Sequence, residues 1–181
     1  MHNKMAQGTR ARLRMWPMLA LLTALAAHAP WQRAPDAAEA EPIELVDAWI
    51  RPAGRAQTST SAIPLRLEVA RSQKAWERGL MFRDTLPDNG GMLFLFPRAD
   101  YHGIWMRGME MPIDVLFVSA GHEIVSIRGH LPPCRTRRCR VYPPPEPVQY
   151  VLELQAGFVD RHLIRAGDRL EWDTGPESLV R

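Results

Sequence analysis

Acidic side chains are absent from the first 35 positions of this 181-residue chain; the first of them is Asp36. Only basic charge stands there, on Lys4, Arg10, Arg12, Arg14 and Arg33, and an apolar stretch from Met15 to Ala29 (MWPMLALLTALAAHA) follows the first four. As a helix that stretch would reach about 22 Å, short of the roughly 30 Å of a hydrocarbon core. Small residues in an A-x-A arrangement occur at Ala24-Leu25-Ala26 and Ala27-His28-Ala29. The pattern predicts a signal peptide over residues 1–29, cut after Ala26 or Ala29, and hence a periplasmic or secreted protein. An uncleaved anchor is the alternative reading. The stretch lacks both a cysteine for lipid attachment and an Arg-Arg pair. No later apolar run approaches spanning length, so the mature chain is expected to be soluble, with no membrane span.

Excess positive charge is missing from the remainder. The whole chain carries 23 basic and 20 acidic residues, a formal +3; without the four basic residues of the leader the balance is 19 to 20. Global basicity therefore gives no argument for a nucleic-acid partner. The motifs of several enzyme classes are also absent: no Gly-x-Ser-x-Gly, no His-Glu-x-x-His and no phosphate loop. The expectation is a monomer without cofactor, whose partner is a small or anionic ligand.

Cysteine is nearly absent, and both copies, Cys134 and Cys139, sit in one loop, Pro132-Pro133-Cys134-Arg135-Thr136-Arg137-Arg138-Cys139-Arg140. In an oxidising compartment a lone close pair predicts a disulfide, which for so short a loop stabilises by about 2 kcal/mol. A redox-active dithiol or a metal site are the sharper alternatives. Redox pairs normally have two residues between the cysteines, however, and only His130 stands nearby as a further metal ligand. Arg135, Arg137, Arg138 and Arg140 could make this loop an anion-binding surface, or could simply be solvated.

What is present is a pattern of short strands. Residues 30–60 read as a linker with a possible short N-terminal strand at Ile43, Leu45 and Val46; residues 61–174 read as one globular domain and 175–181 as a tail. Ile63, Leu65, Leu67 and Val69 alternate with Pro64, Arg66, Glu68 and Ala70, the period of a half-buried strand. Ser72 is a candidate N-cap and Gly79 a helix stop, predicting a helix over Gln73–Arg78. Asp88-Asn89-Gly90-Gly91 signals a turn before a strand at Met92–Phe96. Ile113–Val118 and Glu123–Arg128 read as a hairpin. Residues 132–147 hold six prolines and are expected to be irregular. Val148, Tyr150, Leu152 and Leu154 then alternate with Gln149, Val151 and Glu153; a second short helix over Phe158–Ile164 and a last strand at Arg169–Trp172 follow. The fold class is mostly β (α+β): a compact barrel-like sheet of about six to eight short strands with one or two short helices.

Asp114 stands out as a lone carboxylate within an apolar run, where it must be neutralised, paired or hydrogen-bonded. Arg83 or Arg107 is a candidate partner, and the alternative is a structural carboxylate tying strand to loop. Trp105 and Arg107, with His102 and Glu110, form a polar-aromatic stretch suited to a ligand cleft or to an ordinary sheet edge. Met106, Met109 and Met111 could bind Cu(I). Strand alternation would place Met109 and Met111 on one face and Met106 on the other, so apolar packing is favoured.

Several strings together resemble a known family. They are Glu77-Arg78-Gly79-Leu80-Met81-Phe82-Arg83, Gly91-Met92-Leu93-Phe94-Leu95-Phe96-Pro97, Trp105-Met106-Arg107, Pro112-Ile113-Asp114-Val115-Leu116-Phe117, the cysteine loop through Tyr142-Pro143, Tyr150-Val151-Leu152-Glu153-Leu154 and Gly167-Asp168. In this order, over about Pro64 to Glu171, they resemble domain of unknown function 192. The resemblance implies a compact, mainly β, often exported domain with a short helix, and no settled biochemical role. One departure stands out: Gly108-Met109 follows Trp105-Met106-Arg107 where that family carries Asn-Thr. The expected function is a non-catalytic binding or accessory module with a site around Arg83, Trp105, Arg107 and Asp114. The alternatives are a hydrolase-type enzyme using Asp114 with His102, and a periplasmic Cu(I)-binding protein.

Overall fold

The computed structural model describes residues 43–54 and 62–173. The leader, most of the linker and the tail read from the sequence lie outside the described residues. Two strands open the fold, β1 (Glu44–Arg51) and β2 (Ile63–Ala70), followed by helix α1 (Gln73–Arg78) and strands β3 (Gly90–Asp100) and β4 (Ile104–Trp105). The hairpin β5 (Ile113–Val118) and β6 (Ile124–Leu131) comes next, then β7 (Val141–Tyr142), β8 (Val148–Gln155), helix α2 (Phe158–His162) and β9 (Arg169–Trp172). Seven strands form one curled half-barrel sheet in the order β6-β5-β8-β3-β2-β1-β9, and β4 and β7 pair as a separate ribbon. Only β2 and β3 are parallel, because α1 and its loop carry the chain across between them.

Helix α1 forms where the local chemistry specifies it. The Ser72 side chain accepts from the Ala75 amide at 3.1 Å, and Gly79 ends the helix at φ +47°, a backbone conformation that suits glycine. The helix has no fully buried residue; it lays Ala75 and Trp76 against the sheet, and Trp76 Nε1 donates to Ala70 O at 2.9 Å.

The sheet is covered on both faces, which the alternation of β8 does not announce. Leu152 and Leu154 point into a core closed by Phe158, Val159 and Ile164 of the α2 region. Val151 faces the opposite core with Met92, Phe94, Val115 and Phe117, under α1 and the segments flanking β4 and β7. Val151 and Glu153, which alternate with Leu152 and Leu154, are therefore buried as well. All six residues of β5 are buried for the same reason. Two other expectations change. The doubtful N-terminal segment is a full eight-residue strand between β2 and β9, so the folded core begins before Ile63. The proline-rich stretch contains β7, which pairs Val141 with Trp105 and Tyr142 with Ile104.

Gly91 marks the tightest approach in the sheet. A Cβ there would lie 2.4 Å from the backbone oxygen of Glu153 and 2.7 Å from Leu154 Cδ2. Backbone cannot give way as a side-chain tip can, so Gly91→Ala should cost about 3 kcal/mol, at the upper end of overpacking penalties. Urea unfolding checks it; a loss below about 0.5 kcal/mol would contradict the close approach.

Candidate functional site

Strand register decides which of two carboxyls reaches a cleft. Asp114 of β5 lies opposite Leu154 of β8, and Val115 lies opposite Glu153. Asp114 therefore shares the α2 face of the sheet, and Glu153 shares the face covered by α1.

Asp114 is fully buried and spends both oxygens on backbone amides: Oδ1 accepts from His130 N at 2.8 Å and Oδ2 from Val159 N at 2.9 Å. Helix α2 begins at Gly157, which offers no capping side chain, and Asp114 supplies the missing acceptor from a neighbouring strand. The expected Arg83 or Arg107 partner is thus a misreading. Arg83 forms a forked pair with Glu68, with Nη2 2.6 Å from Oε2. Arg107 is exposed and lies over the Trp105 ring, 5.1 Å from its centroid. The proposed four-residue site does not assemble around Asp114: its carboxylate serves the fold, and Arg83 is engaged elsewhere. The pairing of Asp114 with His102 fails too, because His102 stacks on Phe96 at 3.7 Å, beside the other face of the sheet.

That face carries a cleft of about 520 Å³. Its construction follows from the end of β3. Pairing with β8 runs regularly to Leu95 and shifts before Asp100, so β3 peels away and the turn at Tyr101–Gly103 folds back. His102 then stacks on Phe96, and Trp76 of α1 meets the Phe96 ring at 5.0 Å, making one aromatic wall. The β4–β7 ribbon, with Trp105 and Val141, and Met109 beyond it form the facing wall. Leu80, Phe94 and Glu153 also line it, with Gly79 so close that an added Cβ would sit 3.3 Å from Phe94 and 3.8 Å from Glu153 Oε2.

Glu153 is the chemical feature of this cleft. The residue is 4% exposed, and its Oε2 is buried with no protein hydrogen-bond partner among the described residues. Burial pushes the carboxyl up to about 8, so it is mainly the neutral acid at pH 7. Buried polar groups left unpaired are few in native proteins, and they concentrate where a protein does something with them. Sequence reasoning passed Glu153 over because alternation along one strand does not say that both faces of the sheet are covered. The available signal was the same one that drew attention to Asp114, an acid inside an apolar string.

The remaining candidates are placed as follows. Met106, Met109 and Met111 lie in one apolar cluster, 1%, 4% and 6% exposed. They do not alternate, because the chain leaves β4 after Trp105 and runs as loop to Pro112. Among the described residues no group of three or more His, Cys, Asp or Glu could hold a metal ion. None of the described helices is long and apolar enough to cross a membrane. Glu110 accepts from Arg135 at 3.0 Å, Arg140 lies 5.0 Å from the Tyr142 ring centroid, and Arg137 and Arg138 are exposed.

Cys134 and Cys139 form a disulfide with Cα atoms 5.7 Å apart. Cys134 N donates to Met106 O at 2.9 Å, so the pinned loop is fastened to the segment that follows the cleft wall. Replacing both cysteines by alanine should cost about 2 kcal/mol in a denaturant melt, the loop-entropy value for this spacing. It should also broaden the Trp105 and Val141 NMR signals; unchanged stability and line widths would contradict the fastening.

Comparison with known proteins gives a consistent family. The model of DUF192, an uncharacterized ACR, matches residues 55–172. A UPF0127 protein of Pyrococcus furiosus is 31% identical over 121 residues, covering 63% of this chain and 94% of the relative. A UPF0127 protein of Thermococcus sibiricus is 28% identical over 102 residues, covering 55% and 61%. A solved structure from Sinorhizobium meliloti 1021, named as a candidate transcription regulator, has a TM-score of 0.65 at 30% identity, covering 74% of this chain and 97% of that one. A protein of unknown function from Novosphingobium aromaticivorans has a TM-score of 0.63 at 30% identity, covering 77% and 99%.

Proposed function

This chain belongs to the DUF192 family of uncharacterised proteins, and we propose that it is an exported, non-catalytic module that binds a small organic ligand in the α1–β4 cleft. One observation carries the reading: an aromatic-walled cleft of about 520 Å³ has an unpaired, buried carboxyl among its lining residues. Small-molecule sites have volumes of this order, and here aromatic and aliphatic side chains meet a rim of charged and polar ones. The cleft retains Trp105 from the site expected on sequence and replaces Asp114 by Glu153. Export is supported by the composition of residues 1–29 and by the close cysteine pair, which an oxidising compartment keeps joined.

A fragment screen by ¹H–¹⁵N NMR tests the reading. Binding fragments should shift the indole N–H of Trp76 and Trp105, with Trp49 and Trp172 as internal controls. Fragments that cluster elsewhere, or shift all four equally, would count against the cleft.

A further inference from the structure

A buried carboxyl with no protein partner can meet a ligand in two ways. As the neutral acid it offers an O–H donor; as the carboxylate it demands a cation. The surroundings of Glu153 favour the first. Its strand neighbours in the same row are Met92 of β3 and Val115 of β5, and both are apolar. Burial raises its proton affinity unopposed, with no neighbouring charge contributing. The exposed charges on the cleft balance, Arg78 and Arg98 against Glu77 and Asp100, so its rim offers an incoming ammonium no net attraction. Beside it lies an aromatic cluster, with His102 stacked on Phe96 and Trp76 tilted against Phe96, a lining suited to a flat, π-bearing body.

We propose that Glu153 donates a hydrogen bond within the cleft to a neutral oxygen acceptor, such as a carbonyl, on a flat small molecule held against the Trp76–Phe96–His102 wall. This rests on the binding reading above and gives it a ligand class. A ligand with such an oxygen satisfies a group that the protein leaves unpaired; an isosteric hydrocarbon does not, and the difference sets specificity. The other titratable or charged groups on the cleft are Glu77 and Arg78 of α1, Arg98 and Asp100 of β3, and Tyr101 and His102 of the turn after it. Glu77 is engaged by Gln73 Nε2 at 2.7 Å, and Asp100 Oδ1 accepts from the Tyr101 amide. Variants at position 153 separate their titration from that of Glu153.

The test uses the full chain and three phenyl probes: acetophenone, its isostere α-methylstyrene (a CH₂ in place of the carbonyl oxygen) and the cationic benzylamine. Affinities are read from the Trp76 and Trp105 indole signals. At pH 6.5 acetophenone should bind about tenfold more tightly than α-methylstyrene. Glu153→Leu should abolish that preference, whereas Glu153→Gln, whose amide also donates, should keep it. At pH 9 the preference should vanish in the unmodified protein and persist in Glu153→Gln. Equal affinity for acetophenone and α-methylstyrene would overturn the donor role while leaving the cleft as a binding site. Preferred binding of benzylamine with release of a proton would overturn it in favour of a carboxylate. If no probe moves the indole signals, the binding reading falls and the donor role with it.

Discussion

The stability of the protein should fall by on the order of 5 kcal/mol more than that of its Glu153→Gln variant as pH rises from about 4 to 9. Burial lifts the Glu153 carboxyl from its ordinary 4.5 to about 8. Below pH 4.5 the acid is protonated in both folded and unfolded chains and contributes no pH dependence. Between 4.5 and 8 the unfolded chain gives up the proton while the folded chain keeps it, so stability declines by up to about 1.4 kcal/mol per pH unit. Above 8 both states are ionised and the loss is complete. Other carboxyls act in the opposite sense: Glu44 is held below its ordinary value, chiefly by its hydrogen bonds from Arg71. The difference between protein and variant isolates Glu153, because the amide is nearly isosteric and does not titrate. Parallel curves from urea unfolding across this range would show that the carboxyl ionises as freely as in water.

Asp114→Ala should cost about 4 kcal/mol, with the whole effect in folding. The substitution strips the acceptor from two amides, His130 N and Val159 N, and each unsatisfied donor carries a penalty of roughly 1–3 kcal/mol. Asp114→Asn keeps one carbonyl acceptor and turns an NH₂ toward the other amide, so about half of the loss should remain. Hydrogen exchange localises the effect: α2 and the end of β6 should lose protection first. A near-neutral Asp114→Ala, or a variant that stays stable but loses probe binding in the cleft, would contradict the structural role.

Much of the fold was legible because local chemistry determined it. Ser72 and Gly79 bracket α1 at the expected residues, and the β5–β6 hairpin turns after Val118 as expected. Strand β1 was harder to read because its period is carried by Val46, Ala48 and Ile50, with a small residue in the middle and the exposed Leu45 out of phase. The short pairing of β7 with β4 is a tertiary contact, and prolines around it conceal any strand signal. The site was half legible. Trp105 and His102 line the cleft, and Asp114 is buried within its apolar run. What no pattern along one strand could supply is the register of β5 against β8. That register turns Asp114 toward α2 and Glu153 toward the cleft, and it makes one acid a cap and the other a candidate donor.

The most direct measurement is a ¹³C NMR titration of the Glu153 side-chain carboxyl, with and without acetophenone. The free protein should show a midpoint near pH 8, and saturating acetophenone should move it higher, because the bound carbonyl accepts a hydrogen bond only from the protonated acid. A midpoint near the ordinary glutamate value, unmoved by the probe, would contradict both the buried neutral acid and its role in binding.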